Sequence, residues 1–249
     1  MEKRSKVLFL CTGNSARSIL GELLLQSITR GKGELGSSVE LGVDVSTTPL
    51  LIDKRRLGRV LANLFENAES HGGGVVAVTA VDVSRQITRE VKPPANFELR
   101  LTEGSRIPLA DGAADVAFSN QLMEHLHPED ALEQLREIRR SLAPGGLYVC
   151  ITPNRLHGPG DVSGHFDEVA TGLHLREYSA RELRALMLES GFRSVRFYAG
   201  ARGWYARMPF PALAALEAAL EAAPRRLRRR LARLAPMRAL LGLRAVAAA

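Results

Sequence analysis

The stretch from Ile107 to Asn154 constrains this chain more than any other, because it reads as strand, helix and strand with turn signals between them. Asp111-Gly112 is a turn pair, and Asp115-Val116-Ala117-Phe118 begins a short apolar strand. Pro128 stands where a helix starts, a position at which its missing N–H costs nothing. Leu132, Leu135, Ile138 and Leu142 then recur at helical spacing. Pro144-Gly145-Gly146 stops the helix, and Leu147 to Thr152 is the second strand. A strand, a helical crossover and a strand form one unit of a parallel sheet. Open sheets of this kind bind ligands at the carboxyl ends of their strands. Asn120, Gln121, Pro153 and Asn154 fall there, and Glu124 and His125 crowd the same end.

The rest of the chain supplies further pieces of the same architecture. Val7 to Leu10 is a continuous apolar run, as in a strand covered on both faces, and a helix with Ile19, Leu20, Leu23, Leu24 and Ile28 on one stripe follows. Gly31 to Ser38 reads as a linker, and Asp53 caps a helix carrying Leu57, Val60, Leu61, Leu64 and Phe65. Val75–Val81 and Phe97–Leu101 read as strands. Ser179 and Glu182 form a capping box for a helix that stops at Gly191-Phe192, before a strand over Val195–Tyr198. His157, His165, Asp167 and His174 match no compact metal spacing, and no cysteine joins them.

Charge is concentrated at the C-terminus. The chain sums to +7, but residues 225–249 hold eight Arg and no acid, so +7 less +8 leaves −1 for the first 224 residues. With Leu227, Leu231 and Leu234 on one face, this tail fits a basic amphipathic helix that either meets anionic lipid or packs on the body. It lacks the aromatic residues expected of a surface for single-stranded nucleic acid. Two cysteines, Cys11 and Cys150, without metal-type spacing point to a reduced, cytoplasmic setting. The apolar run after Lys3, Arg4 and Lys6 is shorter than a signal peptide requires.

Three stretches resemble known families. IPLADGAADVAFSN, Glu124-His125-Leu126, LAPGG and the closing TPN resemble the second half of class I S-adenosylmethionine-dependent methyltransferases, with similarity from about Val78 to Tyr205. That resemblance implies a methyltransferase using S-adenosyl-L-methionine. Asp82, at a strand end, would bond the ribose hydroxyls, since a carboxylate accepts two hydroxyl protons. Glu103 and Gly104 would lie near the adenine, Asn120 and Gln121 would line the cofactor or acceptor pocket, and His125 is a candidate catalytic residue. The loop over Arg155–Glu177 would cover the acceptor, where a His could act as general base. No Gly-x-Gly-x-Gly loop precedes Asp82.

Cys11-Thr12-Gly13-Asn14-Ser15-Ala16-Arg17-Ser18 resembles the Cys-x5-Arg phosphate loop of low-molecular-weight tyrosine phosphatases and arsenate reductases. That likeness implies a Cys11 thiolate nucleophile with Arg17 gripping an oxyanion. DKRRLGRVLANLFENAESHGGG resembles the N-box helix of sensor histidine kinases, where Asn67 would be the metal-holding asparagine. The later Gly-rich boxes of that family do not follow.

The combined expectation is an α/β, Rossmann-like doubly wound and mostly parallel sheet with a C-terminal basic helical tail. Residues 1–30 form a phosphatase-like strand, loop and helix; 31–77 a linker and kinase-like helix; 78–205 the methyltransferase-like domain; 206–249 the tail. Residues 6–28 supply the strand, loop and helix that the methyltransferase-like part lacks, so strand 7–10 is expected beside strand 78–82. The expected function is methyl transfer to a small-molecule or lipid-linked acceptor, with peripheral membrane contact through 225–244 and no nucleic acid. The alternatives are a thiol enzyme resting on Cys11 and Arg17, and a non-catalytic mosaic of incomplete sites.

Overall fold

A computed structural model describes residues 6–10, 77–82, 97–102, 105–160, 163, 170, 172, 174–201, 204–232 and 234–249. Its strands are β1 (Lys6–Leu10), β2 (Ala77–Asp82), β3 (Phe97–Leu101), β4 (Ala114–Asn120), β5 (Leu142–Thr152), β6 (Ser194–Ala201), β7 (Trp204–Met208) and β8 (Leu243–Ala248). Among the described residues they form one eight-stranded sheet in the order β3-β2-β1-β4-β5-β8-β6-β7. The helices are α1 (Pro128–Ser141), α2 (Ala180–Glu189), α3 (Phe210–Ala222), α4 (Arg225–Ala232) and α5 (Ala235–Leu241). The expected α/β, mostly parallel sheet is therefore present.

β1 is the hub. It pairs in parallel with β2, Val7 beside Val78 and Leu10 beside Val81. On its other side it pairs in parallel with β4, Val7 beside Val116 and Leu10 beside Ser119. Strand 7–10 thus lies against strand 77–82, as expected from the sequence. β2 continues outward to β3 and β4 outward to β5, both in parallel, so the winding reverses at β1. Such a reversal opens a crevice at the carboxyl ends of the strands.

The core follows from apolar residues at the period of each element. Leu8, Leu10, Ala117, Tyr148 and Cys150 are buried in the sheet, Ala131, Leu135 and Ile138 on α1, and Leu183 and Met187 on α2. α2 opens with the expected capping box: the Glu182 N–H donates to Ser179 Oγ at 3.2 Å, and the Ser179 N–H donates to Glu182 Oε2 at 2.8 Å. Pro144-Gly145-Gly146 does not simply end the helix. It is absorbed into β5 as a bulge, because the register advances from Ala114–Leu142 to Val116–Leu147. A Cβ on Gly146 would sit 2.9 Å from the Ala143 carbonyl and 3.0 Å from that of Asp115, so this close approach needs glycine.

At the amino-terminal end of β4, Arg140 donates to the carbonyls of Ile107 (2.9 Å) and Leu109 (2.8 Å), while Glu137 accepts the Ile107 N–H at 3.0 Å. This clamp lines a groove of about 470 Å³ with Arg106, Leu109 and Glu133. It lies at the end of the sheet opposite the crevice.

The C-terminal tail differs from the sequence expectation in one respect. Its helical part ends at Leu241, and β8 then runs antiparallel between β5 and β6, Cys150 beside Ala245 and Phe197 beside Ala245. Leu243, Ala245 and Ala247 are buried and alternate with half-buried neighbours. Alanine-rich sequence favours helix in isolation; two open strand edges and a slot fitting small side chains override it here. The tail is also tied down by polar contacts. Buried Asn154 donates through Nδ2 to Glu217 Oε1 (2.7 Å) and to the Leu241 carbonyl (3.0 Å). The Ala180 N–H donates to the same Glu217 oxygen at 2.8 Å.

Two outcomes follow from this docking. Deleting residues 243–249 leaves the facing edges of β5 and β6 unpaired, so the shortened chain is expected to lose its cooperative thermal transition by circular dichroism; an unchanged melt would show the tail to be dispensable. Burial raises the Glu217 carboxyl above its ordinary range, with the hydrogen bonds from Ala180 and Asn154 opposing. Its folded pKa exceeds its unfolded one, so stability is present at low pH and falls as pH rises from the unfolded value through the folded one. Glu217→Gln keeps an acceptor oxygen and removes that loss. Its denaturation midpoint should hold steady with rising pH over the window where the parent's declines.

Candidate functional site

The crevice at the carboxyl ends of β1, β2, β4 and β5 is bordered by residues that come from distant parts of the chain. Asp82 is the last residue of β2 and pairs with Leu101 of β3. Asn120 ends β4 opposite Ile151 of β5 and is half-buried. Gln121 follows with φ +57°, and its N–H donates to the Ile151 carbonyl at 2.9 Å. It is the only non-glycine with positive φ among the described residues. A left-handed backbone at a non-glycine residue is an uncommon conformation that tends to collect at functional sites. Cys11, Arg17, Asn67, Glu103, Gly104, His165 and Asp167 lie outside the described residues.

Directly after β4, Met123–His125 makes a 3-10 turn in which Met123 and Glu124 are fully buried. The Glu124 carbonyl accepts the N–H groups of Leu175 (2.7 Å) and Arg176 (3.3 Å). A few residues on, Arg155 donates its N–H to the Tyr178 carbonyl at 3.0 Å, and Asn154 bridges Tyr178. These backbone bonds lay residues 174–178 across the ends of β4 and β5. They bring His174 against Glu124 and His125.

The side chains there form a compact polar cluster. Glu124 Oε2 accepts the Thr152 hydroxyl at 2.8 Å, and its other oxygen has no hydrogen-bond partner. Burial pushes the Glu124 carboxyl up to about 7, against the Thr152 hydrogen bond and His174, which both favour the anion. His174 Nδ1 lies 2.8 Å from Glu177 Oε1, and the same oxygen accepts the Gly160 N–H at 2.6 Å. The His125 and His174 rings meet edge to face, centroids 5.0 Å apart. One donor atom from each of Glu124, His125 and His174 lies within 4.8 Å of the others.

Other polar groups nearby are spoken for by structure. Ser119 Oγ and Tyr148 Oη are hydrogen-bonded at 2.7 Å, and burial pushes the Cys150 thiol up to about 12, so that thiol is not a nucleophile. His157 is an exception, since its Nε2 has no hydrogen-bond partner; burial and the Arg238 charge drive it down to about 4, which keeps it neutral, and it is not one of the three clustered residues. Asn154, expected at the ligand end, spends its amide on Glu217 and Leu241 and its oxygen on the Leu156 N–H at 3.0 Å.

Sequence reasoning singled out His125 and His174 separately and did not join them. The spacing of 49 residues hid the pair, and no local pattern marks Thr152 or Glu177 as partners. The adjacency of Glu124 and His125 at a strand end was the one usable signal.

Comparison with known proteins bears on the whole sheet. Residues 56–150 match the family model described as a methyltransferase domain. The match begins within the stretch that resembles a kinase helix, and it does not extend to the phosphate-loop-like stretch. A protein of Mycobacterium tuberculosis named as a probable S-adenosylmethionine-dependent methyltransferase is 31% identical over 134 residues, covering 51% of this chain and 46% of that protein. A relative of Mycolicibacterium smegmatis with the same description is 36% identical over 89 residues, covering 35% and 32%. This chain therefore spans about half the length, or less, of the curated relatives it matches. Among solved structures, a chain of the complex formed by the Haloferax volcanii Trm112 methyltransferase activator aligns with TM-score 0.51 at 16% identity, covering 100% of this chain and 83% of that one. That likeness is one of fold. Residues 56–150 thus resemble a methyltransferase domain, and the sheet is of the Rossmann-like α/β kind.

Proposed function

We propose that this chain is an S-adenosylmethionine-dependent methyltransferase acting on a small-molecule or lipid-linked acceptor. The observation that carries the reading is the place of β1: it completes the sheet between β2 and β4 and sets Asp82 at a strand end beside the point where the winding reverses. The sequence match over residues 56–150 supports it independently. A carboxylate at the end of β2 fits the cofactor, since it can accept from both hydroxyls of a ribose.

When bound, S-adenosylmethionine supplies a methyl group activated on a sulfonium sulfur. The chain's own part is to bind and orient. Asp82 would hold the ribose, Glu103 and Gly104 would serve the adenine, and Asn120 and Gln121 would line the reacting end. On the β4 and β5 side, Glu124, His125 and His174 border the acceptor.

The C-terminal helices support a peripheral contact with an anionic surface. Arg226, Leu227 and Arg230 of α4 and the following Leu234 are exposed together, and Leu227 and Leu234 are each 47% exposed. No helix among the described residues is long and apolar enough to cross a membrane.

Thermal unfolding with S-adenosylhomocysteine tests the main reading. At 100 times its dissociation constant the ligand should add about 2.7 kcal/mol of stability. Asp82→Ala should abolish that gain and Cys11→Ser should leave it. No gain in a chain that melts cooperatively refutes the methyltransferase reading, and phosphate-ester hydrolysis lost in Cys11→Ser would replace it with the thiol enzyme. For the surface contact, the chain should sediment with phosphatidylglycerol vesicles and not with phosphatidylcholine, and release as salt rises. Equal recovery with both lipids would count against it.

A further inference from the structure

We propose that Glu124, His125 and His174 hold a divalent first-row transition-metal ion at the carboxyl ends of β4 and β5. The three donor atoms lie within 4.8 Å of one another, a spread that a small inward movement of side chains closes around one ion. Glu124 is fully buried, and Thr152 fixes one of its oxygens while the other has no hydrogen-bond partner. A buried carboxylate oxygen left unpaired is costly, and a cation is what satisfies it most strongly.

A second observation concerns how His174 is held. Its Nδ1 is engaged by Glu177 Oε1 at 2.8 Å, so coordination would run through Nε2. Glu177 is itself buried and fixed by the Gly160 N–H at 2.6 Å. A Cβ on Gly160 would lie 3.1 Å from Glu177 Oε1 and 3.2 Å from His174 Cε1, so the backbone comes close to both. A carboxylate behind an imidazole, which fixes the tautomer and raises the basicity of the far nitrogen, is the usual support of a metal-binding histidine.

Two imidazoles and one carboxylate suit zinc, iron, cobalt or manganese and do not suit calcium or magnesium, which prefer oxygen throughout. Three protein ligands leave open positions for water or for an oxygen of the acceptor. That the ion meets the acceptor rests on the methyltransferase reading, because it lies on the β4–β5 side and the Asp82 side of the crevice is two strands away. Binding of the ion itself does not rest on that reading.

The test uses the full chain without a histidine tag, stripped with chelator and then dialysed against Zn²⁺, Mn²⁺ or Co²⁺. Elemental analysis should find about one ion per chain. Co²⁺ should give visible absorption of a nitrogen- and oxygen-ligated site. His125→Ala, His174→Ala and Glu124→Gln should each weaken binding at least tenfold, with folding checked by circular dichroism. Glu177→Gln keeps the side-chain volume and should weaken it about 10- to 100-fold. His127→Ala, at an exposed histidine, should leave it unchanged. No ion retained by a chain that melts cooperatively overturns the site. So does unchanged affinity in either His125→Ala or His174→Ala, or, should those variants fail to fold, in Glu177→Gln. The readout needs neither cofactor nor acceptor, so a chain that binds metal without stabilisation by S-adenosylhomocysteine refutes the function and keeps the site.

Discussion

The parallel pairing of β1 with two partners far along the chain is the constraint on which the structure depends. Val7 and its neighbours meet residues about 70 positions away on one side and about 110 on the other. Neither contact is local, so both must outweigh the entropy of closing long loops. Once made, they fix everything downstream. They bury Leu8 and Leu10, reverse the winding, and align the carboxyl ends of five parallel strands at one end of the sheet.

The second structural commitment is the wedge of β8 between β5 and β6. Parallel strands β5 and β6 do not pair with each other; the antiparallel strand between them satisfies both edges. Its inward side chains are Leu243, Ala245 and Ala247, so the slot admits little bulk. The same tail passes over Asn154, where Glu217 collects hydrogen bonds from Asn154 and from the first residue of α2. Residues 152–154 are thereby held between the crevice and the tail. Thr152 bonds Glu124, and two positions later Asn154 bonds Glu217.

The polar cluster beside the crevice is assembled almost entirely by backbone bonds. The Glu124 carbonyl catches Leu175 and Arg176 while Arg155 and Asn154 hold Tyr178, and these bonds together bring His174 to the turn after β4. The side chains then sort themselves by burial. Glu124, enclosed with one oxygen unpaired, is held near neutrality between its two protonation states, whereas the Cys150 thiol one strand over is silenced outright. The difference lies in the ordinary values from which burial lifts them, a carboxyl starting far below a thiol, since both groups are fully buried.

The sequence by itself determined the local elements. The apolar run 7–10, the helical spacing from Pro128, the Ser179–Glu182 box and the Gly191 stop each act over a few residues, and each appears where its own pattern puts it. It also placed Asp82, Asn120 and Gln121 at strand ends, because alternating strands and helices imply which ends face a ligand. Tertiary structure alone decided the identity of residues 243–248 as a strand, since Leu-Arg-Ala-Val-Ala-Ala has no intrinsic reason to extend until two edges await it. It alone joined His125 to His174, 49 positions apart, because that encounter depends on a carbonyl in one turn and two amides in a distant loop. Local propensity works through neighbours in the chain; a site is built from neighbours in space, and only closure of the sheet supplies those.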